Sequence, residues 1–182
     1  MIANNYKKQD AENWISKAAK NDADQQLALR VYTSRLIGQN PDLVMHGGGN
    51  TSVKVERENL FGETCKVMHV KGSGWDLDTI LAPGLPGLWL EPLKKLRELE
   101  RLSEEEMVNI QRANLLDSGS PNPSVETLLH ALLPNKFIDH THVTPFLIRA
   151  NLPNAKQVCK EIFGDRLGIV PYIMPGFALA KK

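Results

Sequence analysis

The chain has 182 residues, of which 42% are hydrophobic and 24% are charged, and its formal net charge at pH 7 is +1. This length and composition are typical of one globular domain with its own core. A charge this close to zero gives no electrostatic reason to expect nucleic acid or an anionic membrane surface as a partner. Cys65 and Cys159 match no metal-binding spacing, the start of the sequence lacks the apolar core of a signal peptide, and no apolar run approaches about 18 residues. We therefore expect a cytoplasmic protein with reduced thiols.

The first part of the chain predicts two helices followed by a pair of strands. Residues 10–37 have helical periodicity in two segments, and Gly38 is a plausible stop for the second. Residues 51–56 and 66–71 alternate between apolar and polar side chains, and this pattern predicts a hairpin. Glycine-rich turns, HGGGN and GSGWD, precede and follow that hairpin.

The remainder predicts alternating helices and strands. The chain becomes helical after Pro92, and Ser103 with Glu106 forms a capping box for a helix that extends to about Leu116. Asn122 followed by proline predicts the start of the helix SVETLLHALL. The further elements expected are a strand over 136–142, a helix over 154–163 and a strand or extended segment over 168–174. The mixture, with several strands joined by hairpins, predicts an α/β domain with a largely antiparallel sheet.

Two histidines separated by one residue, His140 and His142, are candidate metal ligands. Alternate residues of a strand point to the same face, so both rings could reach one ion at roughly 2.0–2.1 Å. A catalytic zinc ion typically has three protein ligands. Glu126 could be the third ligand or a base beside the metal, and His130, four residues later on the same helical face, could orient its carboxylate. The alternatives are surface histidines, a glutamate favoured by the helix dipole and a packed core histidine.

Two loops of small residues are candidate phosphate-binding segments. The loops HGGGNTS at 46–52 and KGSGW at 71–75 offer backbone N–H groups that a ligand can approach closely, because glycine has no Cβ. Asn50 and Thr51 add side-chain donors, and Ser124 could add a contact from a helix N-terminus. Each loop could also be an ordinary tight turn, and Ser124 could simply cap its helix.

Four motifs in order, HGGGNTSVKV, VKGSGWDL, PNPSVETLLHALLP and DHTH, resemble the class II aldolase/adducin family over about residues 25 to 180. The strongest likeness is to the aldolase portion of bifunctional rhamnulose-1-phosphate aldolase/alcohol dehydrogenase proteins, and the long segment 81–111 favours that type. The resemblance implies a three-layer α/β/α sandwich with a largely antiparallel central sheet. It also implies a zinc-dependent aldehyde-lyase that cleaves a ketose 1-phosphate to dihydroxyacetone phosphate and lactaldehyde, and a homotetramer with active sites at subunit interfaces.

The resemblance also assigns roles to individual residues. His140 and His142 fall on the zinc ligands of the family. Glu126 falls on its catalytic glutamate, which exchanges between metal ligation and proton transfer. The positions that hold the substrate phosphate correspond to Gly49, Asn50, Ser73, Gly74 and Ser124.

The sequence departs from the family pattern after the histidine pair. The pattern includes a third zinc histidine, and no histidine follows His142. The Ala-Asp pair expected after the second histidine is replaced by Val143 and Thr144. We therefore expect one domain over residues 1–182 that lacks its C-terminal part, binds zinc weakly by itself and has little activity alone.

Other functions and metals stay open at this stage. A sugar-phosphate epimerase or dehydratase of the same family would share the metal and phosphate positions. A non-catalytic, adducin-like module is the third possibility. Cobalt or manganese would also suit a site made of histidine and carboxylate ligands.

Overall fold

The structure is a computed structural model that describes residues 3–18 and 21–182. Its strands are β1 (Asn50–Glu58), β2 (Thr64–Val70), β3 (Gly87–Trp89) and β4 (Phe137–His140). Its α-helices are α1 (Lys8–Lys17), α2 (Asp22–Gly38), α3 (Leu90–Lys95), α4 (Glu104–Ala113), α5 (Thr127–Leu132), α6 (Thr144–Ala150), α7 (Ala155–Phe163) and α8 (Phe177–Lys181). Single 3-10 turns occupy Ala82–Gly84, Leu96–Glu98 and Gly164–Arg166.

The four strands form one antiparallel sheet in the order β3-β2-β1-β4. The predicted hairpin is β1 and β2, with Val53 opposite His69. On the other side of β1, the short strand β4 pairs so that Asn50 lies opposite His140. The last strand in sequence therefore lies beside the first one, and this pairing joins two of the predicted motifs.

Helices cover both faces of the sheet. Val53 and Val67 point to one face, where they form a buried cluster with Ala23 of α2. Met68, the neighbour of Val67, points to the opposite face and packs with residues of α3, α4, α5 and α8, among them Leu128. This alternation follows from the two-residue period of a strand. The predicted α/β fold, with an antiparallel sheet between helical layers, is confirmed.

An ion pair between a buried arginine and a half-exposed aspartate attaches β4 to α2. Arg30 is 1% exposed, and its Nη1 atom lies 2.7 Å from Oδ1 of Asp139. The same guanidinium lies over the ring of Phe137, 5.6 Å from its centroid. Alongside, the hydroxyl groups of Ser34 and Thr51 form a hydrogen bond of 2.8 Å between α2 and β1. The edge strand is therefore held by side chains as well as by its backbone pairing.

The capping box predicted for α4 is confirmed, but the helix is shorter than expected. Ser103 Oγ accepts from the N–H of Glu106 at 3.2 Å, and the N–H of Ser103 donates to the Glu106 carboxylate at 3.0 Å. The helix ends at Ala113 instead of Leu116, because the next residues pair with β3. There the N–H of Leu116 donates to the carbonyl of Gly87.

The helix predicted with Asn122 as its cap begins four residues later, with Glu126 as the N-cap and Thr127 as the first residue. The preceding segment is extended and paired with the second glycine loop. The N–H of Ser73 donates to the carbonyl of Asn122, and the N–H of Ser124 donates to the carbonyl of Lys71. These bonds hold the PNPS turn in a conformation that is incompatible with a helix.

The C-terminal third contains both confirmed and unpredicted elements. Helix α7 and its stop at Gly164, which has a φ of +60°, agree with expectation. The predicted strand over 136–142 ends at His140, because the N–H of His142 donates to the carbonyl of Leu43 instead. Helices α6 and α8 were not predicted, and residues 168–174 form no regular element.

Candidate active site

A carboxylate and an imidazole meet at the centre of the candidate site. Glu126 is the N-cap residue of α5, and its Oε2 lies 2.9 Å from Nδ1 of His140 at the end of β4. The Glu126 side chain is 23% exposed and the His140 side chain is 31% exposed, so the pair is accessible to a small molecule. Burial tends to raise the pKa of Glu126, but hydrogen bonds from His140 and Asn50 outweigh it, and the pKa lies below its ordinary value. Glu126 is therefore ionised at neutral pH.

The second histidine of the motif lies beside the first. The rings of His140 and His142 meet edge to face, with their centroids 4.8 Å apart. Burial lowers the pKa of His142, and the neighbouring His140 adds to the decrease, so the neutral form is favoured. A neutral imidazole is the form that binds a metal ion.

The first glycine loop packs directly against the two histidines. A Cβ atom on Gly48 would lie 3.0 Å from Nδ1 of His142, and one on Gly49 would lie 2.8 Å from the carbonyl oxygen of His140. Gly49 also has a φ of +71°, which L side chains rarely adopt. Glycine at these positions therefore lets the loop approach the histidine pair closely.

Asn50 follows this loop as the first residue of β1. It is 1% exposed, and its Oδ1 atom has no hydrogen-bond partner in the described part of the chain. Its side chain also contributes to the low pKa of Glu126. A buried amide oxygen without a partner is uncommon in folded proteins, so Asn50 beside the carboxylate stays a candidate for the site.

Lys71 connects the two glycine loops and the PNPS turn. Its Nζ donates to the carbonyl of Gly47 at 2.9 Å, and its own carbonyl accepts from the N–H of Ser124. Burial lowers the pKa of Lys71, and the charges of Glu126 and Asp76 act in the opposite direction. A cation therefore lies between the three loops and within electrostatic reach of the candidate catalytic carboxylate.

The remaining candidate phosphate ligands belong to the same set of loops. Ser73 Oγ donates to the carbonyl of Pro123 at 3.4 Å, and Ser124 Oγ accepts from the N–H of Glu126 at 3.3 Å. Gly74 has a φ of +81° and no neighbour within 4 Å of the position of a Cβ. Both serine hydroxyls thus have partners within the protein, and their contact with a phosphate stays a prediction.

The hydrogen bond of the His130 side chain does not go to Glu126. His130 is fully buried, and its Nδ1 pairs with Ser52 Oγ at 2.8 Å while Nε2 has no partner among the described residues. Burial lowers its pKa to about 4, although the charge of Glu126 acts against this decrease. The ring therefore packs in the core beneath the site, which agrees with the interpretation of His130 as a packed core histidine. That His130 orients the Glu126 carboxylate stays a prediction.

The donor chemistry of the site fits a divalent metal ion. Two imidazoles and one carboxylate form a ligand set that zinc accepts in catalytic sites. Within residues 3–18 and 21–182, however, no three histidine, cysteine or acidic side chains are arranged closely enough to hold one ion. In the described geometry Glu126 hydrogen-bonds to His140, so a bound ion would require these side chains to rearrange.

Comparison with known proteins identifies the family. The profile described as "Class II Aldolase and Adducin N-terminal domain" matches residues 28–182. The chain therefore belongs to this family. Its fold agrees, because the four-stranded antiparallel sheet lies between helical layers.

Two individual proteins are similar to this chain. The structure of the N-terminal class II aldolase domain of a conserved protein from Thermoplasma acidophilum is 38% identical in sequence, with a TM-score of 0.81; the match covers 91% of this chain and 76% of that one. An uncharacterized oxidoreductase of Bacillus subtilis (strain 168), YuxG, is 43% identical over 151 residues. That match covers 83% of this chain but only 22% of YuxG, so the chain spans about a fifth of that relative.

The sequence indicated Lys71 only as part of a loop, whereas in the structure it lies between the two glycine loops and the PNPS turn. The signal in the sequence was a lysine at the end of an alternating strand, immediately before GSG.

In the part of the chain that is described, none of the helices is both long enough and apolar enough to cross a membrane.

Proposed function

We propose that this domain is a metal-dependent aldehyde-lyase. It cleaves a ketose 1-phosphate of the rhamnulose 1-phosphate type into dihydroxyacetone phosphate and lactaldehyde. The observation that carries the proposal is the ionised Glu126 carboxylate, 2.9 Å from His140 and bordered by two glycine loops. Family membership supports the lyase class. It also supports the metal, because class II aldolases are generally metal-dependent.

In this proposal each element of the site has one task. Cleavage takes one proton from the hydroxyl beside the breaking carbon–carbon bond and adds one to the enediolate carbon. Glu126, which its low pKa keeps ionised, accepts the first proton and passes one to that carbon. The first glycine loop with Asn50, and the second with Ser73, Gly74 and Ser124, hold the phosphate. Lys71 supplies positive charge between them. Binding energy at the phosphate fixes the position of the reacting carbons.

His140, His142 and Glu126 would hold the metal ion. When bound, zinc supplies Lewis-acid stabilisation of the negative charge that develops on the substrate oxygens. The chain's own contribution is to favour the neutral form of the His142 imidazole and to place a carboxylate beside the histidine pair. The low pKa of His142 favours the neutral ring at physiological pH.

The decisive experiment is product analysis with a metal-loaded protein. The purified chain is incubated with Zn²⁺, Co²⁺ or Mn²⁺ and rhamnulose 1-phosphate, and products are identified by ³¹P and ¹H NMR. We expect slow formation of dihydroxyacetone phosphate and lactaldehyde in equal amounts, since only two of the family's zinc histidines are matched, and we expect both products to be lost with a chelator or with Glu126→Gln. Formation of an epimeric sugar phosphate without aldehyde would assign the epimerase function instead. Absence of any product, together with metal content unaffected by His140→Ala, would overturn the proposal.

A further inference from the structure

A second cavity lies at the other end of α5, remote from the N-terminal end that carries Glu126. Its volume is about 510 Å³, within the roughly 300–1,000 Å³ of typical small-molecule sites. One part of its wall is apolar and comes from α3, the end of α5 and the residues that follow: Leu90, Ala131, Leu132 and Pro134. None of the candidate active-site residues lines it.

Four lysines from four separate segments surround this cavity: Lys54 on β1, Lys66 on β2, Lys94 on α3 and Lys136 ahead of β4. The acidic residues in the lining are Asp22 and Glu56. Positive side chains therefore outnumber negative ones two to one around a single cavity. Since the chain as a whole carries a net charge of only +1, this is a local concentration of charge.

Lys54 is the most enclosed of the four lysines. It is half-buried, and its ammonium donates to the carbonyl of Leu133 rather than to a carboxylate. Burial and the nearby charge of Lys94 lower its pKa to about 8. Lys94 itself pairs with Glu91, which lies outside the cavity lining. Lys54 and Lys94 thus repel each other beside a partly desolvated space, and a bound anion would relieve that repulsion.

We propose that this cavity binds a small molecule that carries a phosphate group. Lys54 and Lys94 contact the phosphate, because a lysine ammonium is a compact charge suited to this group. The apolar wall, with Leu90 and Leu132, contacts an organic portion of the ligand. The site is separate from the glycine loops assigned to the substrate phosphate, and it does not depend on the proposed lyase activity.

Nuclear magnetic resonance of the ¹⁵N-labelled chain tests this proposal, because the two phosphate sites have separate reporter amides. Inorganic phosphate and phenyl phosphate are titrated at low ionic strength. We expect saturable shifts at Lys54, Leu132 and Lys136 for both probes, with tighter binding of phenyl phosphate. Shifts at Gly48 and Ser73 report the candidate active site and are fitted separately.

Charge-removing variants complete the test. Lys54→Met together with Lys94→Met should weaken phenyl phosphate binding at the cavity by about tenfold, since charged hydrogen bonds are lost. Lys156→Met together with Lys160→Met on α7 removes the same charge elsewhere and should leave the affinity unchanged. If the first pair fails to fold, the exposed Lys94→Met alone should still weaken binding. The proposal would be overturned by the absence of saturable shifts at the cavity, or by equal weakening of binding in the Lys54/Lys94 and Lys156/Lys160 double variants. Equal affinity for inorganic phosphate and phenyl phosphate would exclude an organic portion of the ligand.

Discussion

The Nδ1 atom of His140 lies 2.9 Å from Oε2 of Glu126, although the two residues are 14 positions apart in the chain. Two independent pieces of backbone bring them together: the N-terminal end of α5 and the end of β4. The contact couples the protonation of the carboxylate to the position of the ring. It is therefore the contact on which a test of function should act first.

Glu126→Gln removes the proton acceptor and keeps the shape of the side chain. We expect the rate of ketose 1-phosphate cleavage to fall by about 10²–10⁴-fold, which is the usual contribution of a positioned acid–base group. The measurement is kcat with a coupled assay for dihydroxyacetone phosphate. Glu105→Gln, on the exposed surface of α4, is the matched control and should retain activity. Retention of activity by the Glu126 variant would remove this residue from the mechanism.

Gly49→Ala should destabilise the protein more than Gly62→Ala. Both glycines have a positive φ, +71° and +78°, so alanine is strained at each by about 1–2 kcal/mol. Only at Gly49 would the Cβ meet other atoms, at 2.5 Å from Val44 and 2.8 Å from the carbonyl of His140, whereas Gly62 has open space. We expect an additional loss of about 1–3 kcal/mol at Gly49 in urea unfolding. Equal losses in the two variants would mean that the loop rearranges around the added Cβ without a loss of stability.

The elements that were predictable have strong local signals. The capping box at Ser103 and the alternating strands of the hairpin depend on neighbouring residues, and both were found where expected. The start of α5 was wrong because the PNPS turn pairs with the loop after β2, a contact that no local pattern encodes. The position of Lys71 between the loops depends on the same kind of long-range contact, so no local pattern indicated it.

Ser103→Ala tests the cap independently of the site. The substitution removes the hydroxyl that accepts from Glu106, and it should lower the free energy of unfolding by about 1 kcal/mol. We expect no change in kcat or KM, because α4 contributes none of the candidate site residues. Ser118→Ala, in the exposed turn that follows, serves as the control and should leave stability within about 0.5 kcal/mol of the parent.

His69 makes stability depend on pH. Burial lowers its pKa from 6.5 to about 4, while the unfolded chain keeps the ordinary value. Below pH 6.5 the unfolded state therefore binds a proton that the folded state does not, and the free energy of unfolding falls towards pH 4 by about 3 kcal/mol. Carboxylates also titrate in this range, so the informative quantity is a difference. In His69→Gln the free energy of unfolding should fall less between pH 6.5 and pH 4 than in the parent, by that amount. If the two proteins lost stability in parallel over this range, the lowered pKa of His69 would be contradicted.

Lys71→Met tests the cation between the loops. The substitution keeps the buried aliphatic portion of the side chain and removes the ammonium that donates to Gly47. We expect KM for a phosphorylated ketose to rise by about tenfold, as the loss of a charged hydrogen bond implies. Lys160→Met on α7 is the control for a general effect of charge. An unchanged KM would place Lys71 outside the substrate site.

The ion pair between Arg30 and Asp139 has a consequence for folding accuracy. A slip of β4 by one residue along β1 would send Asp139 to the opposite face of the sheet and His140 towards α2. The guanidinium of Arg30, 1% exposed, would then be left in the core without its carboxylate, which is strongly disfavoured. A residue that never contacts the substrate thus selects the one strand alignment in which the imidazole of His140 meets Glu126.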